Sequence, residues 1–250
     1  MIFKVFILLN MAYLNKFWSF PLLIIFCSCM SSEYVTKRMT QKRTSLHYTY
    51  STVIRQKEKP VEVKISPIST DLDGLPIMGR AERKRTRLIY AVLYMEKEIQ
   101  CSYTTGQNMI KQDVSSFIDS SLEAEAKRSG AFVVGASQPT YEMNIRLDSI
   151  SCLGHYEYDY FALLIFRSHS EKLKYPVARL LCTLQLKKNG EVVFSKKITT
   201  EIAKVIKHVR HTSYLSSYPV DLVSGLSECI KEMNENIVRE TNAYLATAPN

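Results

Sequence analysis

The densest cluster of side chains suited to binding or acid–base chemistry lies between residues 154 and 160. One histidine and two carboxylates alternate there with two tyrosines, in the order His155, Tyr156, Glu157, Tyr158, Asp159. Tyrosine rings can stack on sugar rings, and carboxylates can orient sugar hydroxyls. Gly154 and the polar residues after it predict a turn. Two interpretations remain open: a carbohydrate site, or a surface loop whose rings pack on neighbouring strands.

A second candidate site is a run of cations between residues 80 and 87. Five of these eight residues are basic: Arg80, Arg83, Lys84, Arg85 and Arg87. The run indicates contact with an anionic ligand or membrane surface, or else a solvated strand entry or loop. Nucleic-acid sites usually interleave aromatic side chains with cations, and this run contains none, so we expect no nucleic-acid partner. The whole chain is basic, with a formal net charge of +9.

No combination of residues predicts an enzyme. The sequence lacks the GxSxG and SxxK nucleophile motifs, and its 8 glycines form no phosphate-binding loop. Glu123 and Glu125 are two residues apart on a predicted helix and so do not share a face. His208 and His211 have no HExxH context. We therefore expect a non-catalytic protein with no metal and no cofactor.

Four cysteines follow the N-terminal region: Cys101, Cys152, Cys182 and Cys229. None belongs to a CxxC pair, which argues against zinc-ribbon and thioredoxin-like sites. Each lies in a stretch with apolar periodicity. Two disulfides, or buried free thiols that behave as small apolar side chains, are both compatible with this pattern.

The first 28 residues predict an export signal. They contain Lys4 and Lys16, no acid, and a final apolar run of about ten residues, which is too short to span a bilayer. The run ends in Ser28-Cys29, which resembles the lipobox of bacterial lipoproteins. That resemblance implies cleavage before Cys29 and a diacylglycerol group on its sulfur. A plain cleaved signal and an N-terminal anchor are the alternatives, and translation can also begin at Met11.

The lipobox resemblance also implies a cellular location. Met30, rather than an aspartate, follows the lipidated cysteine, and by the sorting pattern of such lipoproteins this implies the outer membrane, facing the periplasm. Residues 29–60 are polar, hydroxyl-rich and basic, and they predict a flexible tether that holds the rest of the chain off the membrane.

Residues 61–250 predict one α+β domain. A helix is expected over residues 112–129, with Asp113 as N-cap and Gly130 as C-cap, and a second from Pro219 to about residue 246. Strands are expected at residues 61–65, 88–94, 131–134, 141–148, 160–166, 178–186 and 192–206, with polar loops at 167–176 and 207–218. The Asn189-Gly190 pair predicts a tight hairpin turn. This order predicts a two-layer sandwich, a mainly antiparallel meander sheet with two amphipathic helices on one face.

This layout resembles a group of small envelope lipoproteins, namely the lipopolysaccharide-assembly lipoprotein, the auxiliary lipoproteins of ABC transport systems and the activators of penicillin-binding proteins. The likeness rests on helix 112–129 with the strand Phe132–Val134, and on the hairpin Leu180–Lys197. It implies a non-catalytic binding, assembly or transport-accessory protein whose partner is an envelope protein or an anionic glycolipid. The alternative is a carbohydrate-binding protein or hydrolase that uses residues 154–160.

Overall fold

The computed structural model describes residues 32–50, 61–70, 80–91, 94–135, 139–163, 166–203 and 214–248. Its helices are α1 (Ser32–Thr40), α2 (Val114–Ser129) and α3 (Tyr214–Thr247), with a 3-10 turn at Gln107–Met109. Its strands are β1 (Glu62–Ile65), β2 (Ser69–Thr70), β3 (Arg80–Ala91), β4 (Tyr94–Thr104), β5 (Val133–Val134), β6 (Tyr141–Leu163), β7 (Phe166–Lys188) and β8 (Glu191–Ala203). No helix in these ranges is long and apolar enough to cross a bilayer.

A long hairpin of β6 and β7 organises the eight-stranded sheet. Each of the two strands has 23 residues, so each is about 75 Å long. β6 pairs with β7 along one edge; along its other edge it pairs in parallel with β1 and β2 near its start, and antiparallel with β4 near its end. β8 extends the sheet beyond β7, β5 lies beyond β1 and β3 lies beyond β4.

The hydrophobic core lies between one face of this sheet and the helices. Inward-facing residues of β6 alternate with outward-facing ones, and β7 supplies a matching buried row opposite them. α3 packs on β7 and β8, and α2 packs on α3 and β5. The buried residues on the two central strands include Tyr141, Met143, Ile145, Leu147, Leu180, Cys182, Leu184 and Leu186. The predicted two-layer α+β architecture is confirmed, with α1 as a third helix.

A bulge at Asp148 keeps β6 buried on one face along most of its length. Leu147 lies opposite Cys182 and Ser149 lies opposite Leu181, so Asp148 is one extra residue in β6. Its carboxylate accepts hydrogen bonds from Arg146 Nε (2.8 Å) and Thr183 Oγ1 (2.5 Å). Inward positions are odd-numbered up to Leu147 and even-numbered afterwards, because the bulge shifts the alternation by one residue.

The local signals at the ends of α2 and at the β7–β8 turn are confirmed. The Asp113 carboxylate accepts a hydrogen bond from the Ser116 backbone N–H at 2.9 Å, which caps the first turn of α2. Gly130 ends the helix in the left-handed conformation, with φ of 59°. Asn189 and Gly190 have φ values of 52° and 87°, as a type I′ turn requires.

Several predicted loops are strand instead. The turn expected after Gly154 lies inside β6, and the polar loop expected at residues 167–176 lies inside β7. Residues 155–162 of β6 pair with residues 167–174 of β7, and the register shifts between Leu153 and His155. Residues 88–94 do not form one buried strand: β3 ends at an exposed Ala91 and β4 begins at Tyr94. In the first two cases strand pairing outweighs the local polar or turn-forming composition.

The predicted flexible tether is wrong over residues 32–50. Met39 of α1 and Leu46 are buried in the core. The backbone N–H of Thr44 donates to Met109 O at 2.8 Å, and the Gln112 side chain bonds both the N–H and the carbonyl of Leu46. The packed part of the chain therefore begins well before residue 61. Residues 29–31 and 51–60 lie outside the described residues.

The last helix begins earlier than predicted and runs antiparallel to β6. α3 starts at Tyr214, so Pro219 lies inside the helix and is buried, not in its first turn. The Leu222 carbonyl accepts a bond from the Cys152 thiol at 3.4 Å, and the Tyr244 ring lies 6.3 Å from the Tyr141 ring. The eight residues before Leu222 add about 12 Å of helix, so α3 begins about level with residue 156 of β6.

All four cysteines of the described chain are buried free thiols. Burial raises the pKa of Cys152 to about 11 and those of Cys182 and Cys229 to about 12, because the apolar surroundings disfavour the thiolate. The Cys229 thiol donates to the Ala178 and Thr200 carbonyls at 3.5 Å. Of the two alternatives that the sequence left open, the structure contains free thiols.

Candidate functional site

The end of the sheet farthest from β5 and β8 contains both candidate sites of the described chain. We call this end the arm and define it as β3, β4, residues 153–163 of β6 and residues 166–176 of β7. It is a four-stranded antiparallel sheet in the order β3-β4-β6-β7. β6 continues seven residues beyond the level at which α3 begins. Cys29, the predicted lipidation site, lies outside the described residues.

The basic run Arg80–Arg87 forms most of β3, the outer strand of the arm. Arg85 pairs with Gln100 and Arg87 with Glu98, and the register shifts at Lys84 between Arg83 and Arg85. Arg87 is exposed. Cations and a bulge on an outer strand discourage pairing with other chains, so the composition of this run has an explanation that needs no ligand.

Residues 155–159 lie on β6 and do not form a loop, so that part of the prediction is wrong. Because side chains alternate along a strand, His155, Glu157 and Asp159 share the outer face, while Tyr156 and Tyr158 share the inner face. Tyr156 is fully buried in the core. The acids and the tyrosines are therefore on opposite sides of the sheet. A carbohydrate-binding role for this segment remains a prediction.

Strand pairing brings the two predicted sites into one row. Arg87, Glu98 and Asp159 lie side by side across β3, β4 and β6. Arg87 and Asp159 are thus two strand spacings apart, about 10 Å, with Glu98 between them. Arg87 consequently lies in the same row as two carboxylates, which weakens its attraction for an anionic ligand.

A shallow groove of about 310 Å³ runs across the outer face of the arm, and its lining includes Glu96, Glu98, Asp159, Phe161, Ser168 and Ser170. The Tyr94 hydroxyl donates to Glu96 Oε2 at 2.6 Å, and this bond raises the pKa of Tyr94. Ser170 Oγ donates to Asp159 Oδ2 at 3.3 Å. Carboxylates and hydroxyls beside an aromatic ring suit a ligand that is rich in hydroxyl groups.

The end of the arm exposes a group of apolar side chains that the sequence analysis did not recognise as a site. Phe166 is 69% exposed, Leu163 41% and Phe161 37%. The Phe161 ring makes an edge-on contact with the Tyr94 ring, with centroids 5.5 Å apart. The available signal is the apolar composition of residues 88–94 and 160–166, which by itself predicts only buried strand.

A buried polar cluster between α2 and α3 also escaped prediction. Glu125 is only 5% exposed and Asn234 is fully buried. Asn234 Nδ2 donates to Ser121 Oγ at 3.0 Å. Burial, and secondarily the neighbouring Glu125, raises the pKa of Tyr48. The cluster places Tyr48 against both helices, so we assign it a structural role. Within the described ranges, no three His, Cys, Asp or Glu side chains are placed to hold a metal ion.

No protein-family model and no curated protein sequence matches this chain. Protein XCC0632 from Xanthomonas campestris, whose crystal structure is assigned to DUF330, is 11% identical, with a TM-score of 0.48 over 81% of this chain and 97% of its own. The hypothetical protein CT253 from Chlamydia trachomatis is 7% identical, with a TM-score of 0.39 over 76% of this chain and 100% of its own. Likenesses at this level assign neither a family nor a function.

Proposed function

We propose that this protein is a non-catalytic, lipid-anchored envelope protein that acts as a binding, assembly or transport-accessory module. The observation that supports this best is the arm, a projecting sheet whose terminal apolar side chains are exposed. Clustered exposed apolar surface is typical of a contact site. The partner would be an envelope component, a protein or an anionic glycolipid, met at the outer membrane on the periplasmic side.

The attachment proposed for this protein is a diacylglycerol group on Cys29. The lipobox-like Phe26-Cys27-Ser28-Cys29 sequence supports it. Two or more acyl chains give firm membrane attachment, whereas a single chain gives only marginal binding. A lipid-anchored protein would therefore stay with the membrane fraction through a salt wash.

Replacing Cys29 with alanine is expected to abolish incorporation of an alkyne fatty acid, because the sulfur that receives the lipid is lost. Cys27→Ala is the matched control, since it removes a thiol two residues away and should leave labelling intact. The measurement is click-labelling of cells expressing each variant, followed by gel fluorescence. Labelling that persists in Cys29→Ala would show that this cysteine is not the attachment site.

Glycan binding is a second candidate function, favoured by the groove on the outer face of the arm. Asp159→Asn with Glu98→Gln is expected to weaken co-sedimentation with peptidoglycan sacculi by about thirtyfold or more. Each change replaces a charged hydrogen bond of about 1.5–3 kcal/mol with a neutral one of about 0.5–1.5 kcal/mol, a loss of about 1 kcal/mol or more at each position. Glu123→Gln, an exposed carboxylate on α2, is the control and should bind as the parent does. Equal binding by the parent chain, the double variant and the control would rule out glycan binding by this groove.

A further inference from the structure

The end of the arm is built from three rows of residues across the four strands. The first row is Ala91, Tyr94, Leu163 and Phe166; the second is Tyr90, Met95, Ala162 and Arg167; the third is Ile89, Glu96, Phe161 and Ser168. We call these twelve residues the apolar cap. The linking residues 92–93 and 164–165 lie outside the described part of the chain and are not included in the cap.

The apolar cap is almost free of charge. Glu96 and Arg167 are the only charged residues among the twelve, and their charges cancel. The Glu96 carboxylate accepts the hydroxyl hydrogen of Tyr94. Arg167 is exposed and directly follows the exposed Phe166, so its long side chain can extend away from an apolar surface toward water or phosphate groups.

The depth of the apolar cap is set by where the next charges begin. Three rows at about 3.3 Å per residue give a cap about 7 Å deep. Lys97 lies in the fourth row, and Arg87, Glu98 and Asp159 lie in the fifth. An element in the membrane interface buries its apolar face about 5–10 Å deep. The cap thus matches the depth of the headgroup–acyl boundary.

We propose that the apolar cap inserts end-on into the interface of a lipid bilayer, with the strands of the arm upright. Burial of Phe166, Leu163 and Phe161 supplies the driving force, and Arg167 reaches the lipid phosphates. Because the cap has no net charge, insertion does not depend on the charge of the headgroups. This proposal specifies the apolar cap as the contact surface of the arm. It rests on the proposed function in one respect only, which is that the protein is located beside a membrane.

A single tryptophan at the cap reports this insertion directly. The chain has one tryptophan, Trp18, so the full chain carrying Trp18→Phe and Phe166→Trp has one fluorophore at the cap. It is reconstituted in phosphatidylcholine vesicles with and without brominated acyl chains. Val192→Trp in the same Trp18→Phe background is the matched control, because Val192 is 51% exposed but lies beside the β7–β8 turn, at the opposite end of β7.

The expected result is a blue-shifted emission and strong quenching by brominated lipid for the Phe166→Trp chain, and neither for the Val192→Trp chain. Replacing 30% of the lipid with phosphatidylglycerol should leave the quenching unchanged. Adding Leu163→Asp should abolish it, since a carboxylate then occupies the first row, while circular dichroism confirms an intact fold. Absence of quenching at position 166, or equal quenching at both positions, overturns the proposal. A shift that follows protein concentration rather than lipid also overturns it, in favour of self-association.

Failure of the lipid anchor and failure of cap insertion give different results. If the chain incorporates fatty acid but shows no quenching at position 166, the result supports the lipid anchor and rules out insertion of the cap. If the chain incorporates no fatty acid but is still quenched selectively at position 166 when vesicles are added, the result supports insertion of the cap and rules out the lipid anchor. Fatty-acid labelling and lipid quenching are measured on the same preparation.

Discussion

A chain lacking Asn144 is expected to lose most of its stability, whereas a chain lacking Asp148 is expected to keep its fold. Asn144 lies in the regular part of β6, opposite Gln185. If the residues after position 144 keep their register, removing Asn144 turns Tyr141 and Met143 out of the core. If the residues before it keep their register, the removal eliminates the bulge and turns Arg146 and Asp148 inward. Losing two large apolar side chains from the core costs about 3–6 kcal/mol, against a total of about 5–15 kcal/mol for a typical domain.

Removal of Asp148 has the opposite outcome because it eliminates only the extra residue of the bulge. Leu147 and Ile150 would then be two positions apart and both still face the core. The loss is limited to the hydrogen bonds of the Asp148 side chain, about 1–3 kcal/mol. Urea unfolding followed by circular dichroism compares the two deletions with the parent chain. Equal destabilisation by both deletions would contradict the bulge assignment.

Raising the pH from 9 to 11 is expected to unfold the protein. The thiols of Cys152, Cys182 and Cys229 have folded-state pKa values of about 11 to 12, above the ordinary value of 9.0. The folded state therefore keeps protons that the unfolded state releases, and stability is complete below pH 9 and falls as the pH rises toward 12. Each thiol contributes a loss of about 1.4 kcal/mol per pH unit within this window.

The measurement is the free energy of urea unfolding at several pH values between 8 and 10.5, with a reducing agent present. Cys182→Ala should lessen the slope by about 1.4 kcal/mol per pH unit, because one titrating thiol is removed. Ser151→Ala, a half-buried residue of β6 that does not titrate in this range, should leave the slope unchanged. A stability that stays flat up to pH 10.5 would show that the thiols are accessible to water.

Local sequence signals predicted the features that depend on one or two residues. The Asp113 side chain caps α2 because a carboxylate can reach the free N–H groups of the first turn. Gly130, Asn189 and Gly190 adopt positive φ because few other residues do so at low cost. The alternation of residues 141–147 predicted a strand with the correct face inward. These features need no knowledge of distant partners.

Features that depend on pairing between distant residues were not predictable. The segment after Gly154 has turn-like composition, yet it is strand because β4 and β7 flank it. Residues 167–176 have the polar composition of a loop, but residues 167–174 pair with β6. Likewise, residues 41–50 have a polar, solvent-exposed composition, but Leu46 lies in the core and bonds to Gln112. The Tyr48 ring lies 6.5 Å from the Phe117 ring of α2.

The candidate sites show the same difference between features set by local residues and features set by pairing of distant strands. Residue types identified the cations of β3 and the acids near Asp159 as separate clusters, since they are about 70 positions apart in sequence. Only the register across β4 shows that Arg87, Glu98 and Asp159 form one row. The cap was hidden for a related reason, because an apolar run predicts burial unless the run is known to lie at the end of a projecting hairpin.

The early start of the packed chain limits how far an acylated protein can move from its membrane. A flexible segment of residues 29–60 would let the domain move to a distance of about 30 Å from the bilayer. α1 begins at Ser32, and the three residues from Cys29 to Ser32 span at most about 11 Å. Confinement to a layer about 11 Å deep instead of about 30 Å raises the local concentration of the domain at the bilayer about threefold. Weak contacts by the domain would then suffice to orient it.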